Sequence, residues 1–278
     1  MRLLAAVEKL DRRVLYVLMV FAVGIPLLLP VGLPLEVVKE TRDCYNAVEG
    51  LKPQDIVVLS ADISSANTPE MNPMVEAIFA HAMSKNVRVV ILGLVAEGPQ
   101  IVHPLVGRIA LSAGKKYGVD WVNLGYKPGG QITLKRMVDD VWEASANVDI
   151  DGTDLAQLPV MKDLKSFKQA SLFVDIASVS PGMQNYLTFV SIPTGIPMTG
   201  GVTSVAVNEE MPYVRSGQYK GLLMGLRGAA EYELLIGKPG KAASGMDAQS
   251  FAHLLVVVFV ILGNAGHAMR RKTVRQKA

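Results

Sequence analysis

Two uncharged stretches near the ends of the chain constrain its folding more than any other feature. From Val14 to Leu35, "VLYVLMVFAVGIPLLLPVGLPL", and from Ala248 to Met269, "AQSFAHLLVVVFVILGNAGHAM", no Asp, Glu, Lys or Arg occurs. Each is 22 residues long, and a helix that crosses a bilayer needs ~20 mostly apolar residues. Both are therefore candidate transmembrane helices. The second is the more uniform, with His253 and His267 its only ionisable side chains. The first carries Pro26, Pro30 and Pro34, so its outer end is expected to kink or to leave the helix before Pro34. A cleaved signal peptide is the competing reading of that segment. Its basic residues, Arg2, Lys9, Arg12 and Arg13, occupy a region long for a signal peptide, and no small-x-small site follows. An uncleaved signal-anchor is expected instead.

The flanking charges suggest an orientation. Four basic residues precede Val14 and five follow Met269, while 19 of the 28 basic and 23 of the 25 acidic residues lie between. The middle region thus has a net charge of −4, although the chain as a whole is +3. Basic flanks favour the cytoplasmic side. The expected arrangement is a cytoplasmic tail (1–13), a membrane helix (14–35), an extracytoplasmic domain (36–247), a second membrane helix (248–269) and a cytoplasmic tail (270–278). The pI near 8.9 comes from the tails and gives no reason to expect nucleic-acid binding. Membrane lipid is an expected partner. Cys44 is the only cysteine, which excludes an intrachain disulfide and a cysteine-based metal centre.

Between the anchors, short apolar runs alternate with amphipathic stretches. The runs 55–62, 87–95, 120–126, 170–178 and 195–207 read as strands, and 70–86, 104–118 and 132–145 as helices. A polar connector follows the third helix, a short helix is expected in "PGMQNYLTFVSIP", and a last helix closes the domain. Strands that alternate with helices and are apolar on both faces belong in a parallel sheet covered on both sides. The predicted class is α/β: a three-layer, Rossmann-like domain flanked by transmembrane helices.

In such sheets ligands bind at the carboxyl ends of the strands. Those ends are polar or glycine-rich here: "SADISSANTPE", "AEGPQ", "GYKPGGQ", "DIASVSPG" and "MTGGVTS". Asp62 and Asp175 occupy matching points, near the ends of the first and fourth strands. If those strands are neighbours, both carboxylates face one crevice, surrounded by Ser64, Ser65, Asn67, Ser178, Ser180 and Thr203. Glu97, Tyr126, Gly129, Gly130, Thr199, Gly200 and Gly201 belong to the same set of strand-end loops. Two carboxylates suit a divalent cation with oxygen ligands, or a division into acid and base. The competing reading is helix capping, with Thr68 as N-cap, Pro69 at the first helical position and Glu70 in the first turn. Neither glycine-rich loop matches G-x-G-x-x-G or the P-loop pattern. There is no G-x-S-x-G elbow and no H-E-x-x-H. His81 is expected to be a packing or surface residue and His103 to sit at a helix start.

The stretch "GQYKGLLMGLRGAAEYELLIG" (217–237) places Gly217, Gly221, Gly225 and Ala229 four apart. On a helix that spacing forms one small-residue face suited to close packing. Lys220, Arg227, Glu231 and Glu233 keep it out of lipid, so it is expected as a helix of the domain, packed on the sheet or on another subunit. "YVRSGQYKGLLMGLRGAAEYE" with "MDAQSFAHLLVVVFVILGN", and the upstream "VVLSAD…PEMNPM" and "LGYKPGG", resembles a family of uncharacterised bacterial and archaeal membrane-anchored proteins. The resemblance implies a Rossmann-like domain between two membrane helices and carries no activity. Two functions are expected as alternatives. One is a non-enzymatic scaffold or assembly subunit of an envelope complex, paired with itself or with another membrane protein. The other is a ligand- or metal-binding sensor, or a hydrolase-like enzyme, that uses the crevice around Asp62 and Asp175.

Overall fold

The computed structural model describes residues 11–179 and 182–275. The chain divides into two compact units, Leu35–Ala242 and a second made of Met1–Pro34 with Ala243–Ala278. The first element, α1 (Arg12–Leu28), belongs to the second unit. It starts on Asp11, whose carboxylate accepts a hydrogen bond from Arg13 N at 3.0 Å. Pro26 is accommodated inside the helix, which ends ahead of Pro30 and Pro34 as expected from the sequence. At 17 residues it is shorter than the apolar run it lies in.

The larger unit begins with α2 (Lys39–Glu49), then β1 (Ile56–Asp62), α3 (Thr68–Ser84), β2 (Arg88–Gly93), α4 (Glu97–Ser112) and β3 (Trp121–Tyr126). Next come α5 (Gln131–Asp139), α6 (Val141–Ala144), a connector of short 3₁₀ turns, and β4 (Leu172–Ala177). Helix α7 (Met183–Tyr186) runs through a π-helical stretch (Leu187–Ser191) into α8 (Ile192–Thr194). The unit ends with β5 (Met198–Val202), α9 (Val207–Arg215), β6 (Tyr219–Met224) and α10 (Gly225–Leu235). All six strands are parallel, in the order β3-β2-β1-β4-β5-β6. This is a Rossmann-like α/β fold, whose strand order reverses direction between β1 and β4.

Strands β1, β4 and β5 are buried along their whole length, as expected of central parallel strands. Helices α2, α3, α4 and α10 cover one face. Helices α5 to α9 and the connector close the other around Phe167, Phe173, Tyr186 and Tyr219. Register partners in a parallel sheet share a face. Ser60 therefore stands beside Asp175, and Asp175 beside Gly200, all on the α5–α9 side.

Several expected boundaries move. Helix α4 starts at Glu97, not near Pro104, so His103 lies in its second turn. The first strand–helix loop makes a 3₁₀ turn, Ser65–Asn67, and Asn67 rather than Thr68 is the N-cap of α3, without a side-chain cap bond. The largest change concerns residues 217–237, which form a strand and then a helix. Gly217 (φ +76°) is the turn into β6 and Gly225 (φ +61°) the turn out of it, and positive φ costs glycine least. The expected face of Gly217, Gly221, Gly225 and Ala229 does not exist as a helix face. Close packing at Gly221 survives in another form. A Cβ there would stand 2.1 Å from Cys44 N, so α2 lies directly on β6. The charges of this stretch fasten the domain. Buried Glu231 pairs with Arg227 at 2.7 Å and accepts from Val38 N at 3.1 Å. Glu233 accepts from Gly240 N at 2.8 Å and Ala242 N at 3.1 Å.

The last element, α11 (Lys241–Arg275), contains a segment, Lys241–Ala265, that is long and apolar enough to cross a membrane, and it is the only such segment among the described residues. Within the terminal unit, Asp247 is buried. Its carboxylate accepts from the backbone N–H groups of Val31, Gly32 and Leu33, at 2.9, 2.8 and 3.0 Å.

Candidate functional site

The reversal of strand order brings together the two acids singled out in the sequence. Both side chains are completely buried. Asp62 closes β1, with Oδ1 accepting from Leu94 N (2.6 Å) and Val95 N (3.1 Å) at the end of β2. Its Oδ2 has no hydrogen-bond partner, and neither does either oxygen of Asp175. Ser60, two residues before Asp62 and beside Asp175, donates to Tyr186 Oη at 2.6 Å. The cluster is thus two carboxyls and two hydroxyls, with three carboxyl oxygens unpartnered.

Buried charge without a partner is costly, so such groups take up protons. Burial pushes the Asp62 carboxyl up to about 6, against the pull of its two backbone N–H donors. Asp175 is raised well above the carboxylate range, by burial first and then by the charges of Asp62 and Glu210. Tyr186 is raised far above the ordinary phenol range by burial, with the two aspartates adding to it. Both shifts favour the protonated forms, and the two carboxyls titrate as a pair.

Beside this cluster a cleft of about 270 Å³ opens at the ends of β4 and β5. Ala177, Ser178, Val202, Ala206, Met183, Gln184, Asn185, Glu209 and Glu210 form its walls. Glu210 Oε2 accepts from Tyr219 Oη at 2.9 Å and Oε1 from Gln184 Nε2 at 3.2 Å. Burial raises its carboxyl above the ordinary range, and the two hydrogen bonds act the other way. No Lys, Arg or His stands in the described lining, so the cleft is acidic.

The other expected residues separate into two groups. Ser178 lines the cleft, and Gly200 runs beside Asp175. Most of the rest hold the strand-end loops to one another, without making the side-chain cap bond of the competing reading. Ser64 N donates to Ser178 Oγ (3.0 Å), Asn67 Nδ2 to Ser64 Oγ (3.1 Å), and Ser65 N to Glu97 Oε2 (2.6 Å). Thr203 is buried just beyond the end of β5. Thr199 and Gly201 point to the opposite face. Thr199 Oγ1 donates to Gly221 O at 2.9 Å, and a Cβ on Gly201 would stand 2.5 Å from Met74 Sδ. Tyr126, Gly129 and Gly130 lie at the end of β3, two strands from the order reversal. Ser180 lies outside the described residues. Sequence reasoning missed Ser60, Tyr186, Gln184, Glu210 and Tyr219. Only Ser60 left a signal, as a second polar residue on the same side of β1 as Asp62.

The divalent cation expected at Asp62 and Asp175 would meet two carboxylates. Among the described residues, no group of three or more His, Cys, Asp or Glu side chains is placed to hold a metal ion. A separate polar cluster lies on the other face. His81 Nδ1 is 2.8 Å from Tyr232 Oη and Nε2 2.8 Å from Glu49 Oε2, with the ring stacked on Tyr45 at 4.7 Å between centroids. Burial lowers its pKa. His81 is a fully partnered packing residue, as expected. Cys44 is fully buried and burial pushes its thiol up to about 12, which keeps it inert. No family model, no curated protein and no solved structure matches the chain.

Proposed function

We propose that the chain is a two-pass membrane protein with both termini in the cytoplasm, and that its α/β domain binds a small amine-bearing ligand outside the cytoplasm. The topology reading is supported by the apolar helix Lys241–Ala265, by the uncharged run around α1 and by the basic tails. The ligand reading rests on one observation. The cleft at the carboxyl ends of β4 and β5 has the acid Glu210 in its wall and no basic side chain in its described lining. Ligands in open α/β sheets sit at this place, and a few convergent polar groups in a small cleft fix their orientation. An ammonium group is the complement of such a wall. Gln184, Asn185 and Ser178 supply uncharged hydrogen-bonding groups for the rest of a small molecule.

The test is a thermal-shift series on the detergent-extracted full chain with ethanolamine and glucosamine, set against acetate and glucose. The amines are expected to raise Tm and the controls to leave it unchanged, and Glu210→Gln is expected to remove the amine effect. No amine-dependent shift, or one that survives E210Q, would refute the reading. Protease treatment of intact cells checks the orientation, and protection of the α/β domain would reverse it.

A second reading is a non-enzymatic scaffold or assembly subunit. It draws on exposed Ile132, Ile192 and Val205, although single exposed apolar side chains are common on any surface. The close-packing glycine that favoured assembly, Gly221, is used inside the domain against α2. Light scattering of the purified protein separates the two readings. A stable oligomer that ignores amines would favour the scaffold.

A further inference from the structure

The acidic cleft and the buried aspartates share a wall. On the α5–α9 face, Asp62, Ala177 and Val202 stand side by side at the strand ends, and Ser60, Asp175 and Gly200 form the row beneath them. Ala177 and Val202 line the cleft, so Asp62 adjoins its floor and Asp175 lies one row below. Met183 lines the cleft as well, and Tyr186, one turn further along α7, accepts the hydrogen bond from Ser60. Glu210 enters the wall from α9. Three carboxyls, from β1, β4 and α9, therefore gather at one end of the sheet, and Asp175 feels the charges of the other two.

No cation of the surrounding elements is buried with them. Strands β1, β4 and β5 and helix α7 carry no Lys, Arg or His. On the helices and connector that cover this face, Lys135, Arg136, Lys162, Lys165, Lys168 and Arg215 are all exposed, as is Lys220 of β6. Arg88 stands at the opposite end of β2. Glu97, at the start of α4, and Glu209, beside Glu210, add only negative charge. Tyr186, Tyr219 and Tyr213 are the remaining titratable neighbours. Asp62 Oδ1 and both oxygens of Glu210 have donors, whereas Asp62 Oδ2 and both oxygens of Asp175 have none. Carboxyls crowded without a counter-charge resist ionisation, and a cation brought beside them reverses that preference.

We propose that an amine entering the cleft takes the place of a proton, so that each ammonium bound expels one proton from the Asp62–Asp175 pair. The inference rests on the amine reading of the cleft and adds its coupling to pH. The ligand arrives as R–NH3⁺, a carboxyl of the pair gives its proton to solvent, and the carboxylate left behind joins Glu210 in balancing the ammonium. No bond to the ligand is made or broken. An uncharged molecule of the same shape brings no charge to exchange. The sign follows from linkage: where one proton leaves per ligand, the apparent affinity rises about tenfold for each pH unit.

The experiment titrates the detergent-extracted full chain with ethanolamine at half-unit steps from about pH 5 to about pH 8. Thermal shift gives the apparent affinity, and a pH-stat in unbuffered salt counts the protons released. A simple alkylamine keeps its charge across this range, so any pH dependence belongs to the protein. The native chain is expected to release about one proton per ligand where the dependence is steepest, with affinity rising about tenfold per unit there. The D62N/D175N double variant keeps Glu210 and is expected to bind with less than half that release. Infrared difference spectra of the native chain give a second reading that needs no variant. Ethanolamine is expected to remove the band of a protonated carboxyl free of hydrogen bonds, which Asp175 has and hydrogen-bonded Glu210 has not. Binding without proton release, or with that band unchanged, would overturn the coupling and leave the amine reading standing. Native-sized release from the double variant would assign the proton to Glu210 and overturn the role of the pair. No response to ethanolamine at any pH would overturn both readings together.

Discussion

Replacing Asp175 by Asn changes one proton-binding group in the middle of the sheet, and its effect has a sign fixed by the pH. The native carboxyl is fully buried, both of its oxygens are unpartnered, and its pKa is raised well above the ordinary value of 3.8. In the unfolded chain Asp175 ionises near pH 4. In the folded chain it keeps its proton to a much higher pH. Below pH 4 both states are protonated and the group is neutral towards stability. Above pH 4 the unfolded state gains by ionising and the folded state does not, so stability falls with rising pH. Each pH unit of this regime costs about 1.4 kcal/mol per group. The loss from Asp175 therefore grows at that rate until the folded carboxyl itself begins to ionise. Asp62 acts in the same direction over a narrower window. Its folded pKa of about 6 confines the loss to pH 4–6, for roughly 3 kcal/mol. Asp175→Asn keeps the shape and removes the titration. The variant is expected to gain over the native chain from pH 4 upward, at up to about 1.4 kcal/mol per pH unit, or about 3–6 °C in Tm per unit for a domain of this size. Thermal unfolding of the full chain followed by Trp fluorescence at half-unit pH steps measures it, with buried Trp121 as reporter. The difference between the two profiles removes the groups remote from the cluster, while Asp62, coupled to Asp175, titrates differently in the variant and contributes to it. Parallel profiles from pH 4 to pH 8 would show that Asp175 ionises normally and would refute the account of the cluster.

Three further outcomes follow from other parts of the fold. Gly221→Ala puts a methyl group 2.1 Å from Cys44 N. It is expected to cost about 1–3 kcal/mol by overpacking and to expose Cys44 to thiol reagents; an unchanged Tm with a silent thiol would contradict the packing of α2 on β6. Lys127 is buried at the end of β3, and desolvation lowers its pKa to about 8. Its acylation, followed by peptide mass spectrometry, should therefore reach half its maximal rate near pH 8, two units or more below surface lysines, and a midpoint near 10 would oppose this. Asp247→Ala removes the acceptor of three backbone N–H groups at 31–33. Amide exchange there should quicken by roughly 10–100-fold, as for loss of hydrogen bonds to a charged group, and unchanged exchange would show that the loop is held by other means.

The alternation of strands and helices was legible because a buried parallel strand needs an unbroken apolar run, and five such runs stand out in the sequence. The sixth strand was not. "YKGLLM" lies between glycines at helical spacing, and its exposed Lys220 broke the apolar run that marked the others. Only the backbone reveals that Gly217 and Gly225 are turns rather than steps on a helix face. The start of α4 was lost for a related reason. Pro99 and Pro104 looked like a loop and a helix start, whereas the first falls in the opening turn of the helix and the second is absorbed in its interior. Of the candidate site, the neighbouring pair Asp62 and Asp175 was readable, since matching positions on β1 and β4 become adjacent once those strands pair. Glu210 and Tyr186 were not, because they come from helices whose orientation over the sheet is a tertiary property. The serines and Asn67 of the first loop satisfied both the ligand and the capping readings. In the structure their hydrogen bonds tie the first loop to its neighbours.

The two faces of the sheet differ in which polar groups are left without partners. On the α2–α4 side these are Thr41 Oγ1 and Asn72 Oδ1 on the helices, while other polar groups there are paired. Thr199 donates to Gly221 O, and His81 has a partner on each ring nitrogen. On the other side the row that crosses the sheet reads Leu92, Ser60, Asp175, Gly200 and Leu222. Its outer members are the leucines a core requires. Its three inner members are a hydroxyl, an unpartnered acid and a residue with no side chain. Filling these positions with Val or Leu would remove the burial penalty of the acid and add apolar contact. The departure is confined to the three strands that flank the reversal of strand order and the mouth of the acidic cleft. A buried acid that served packing alone would have no reason to gather there with Glu210, Tyr219 and Tyr186. The same position is where a parallel sheet offers its ligand crevice. That coincidence of cost and location favours a binding role for this end of the sheet over a purely structural one.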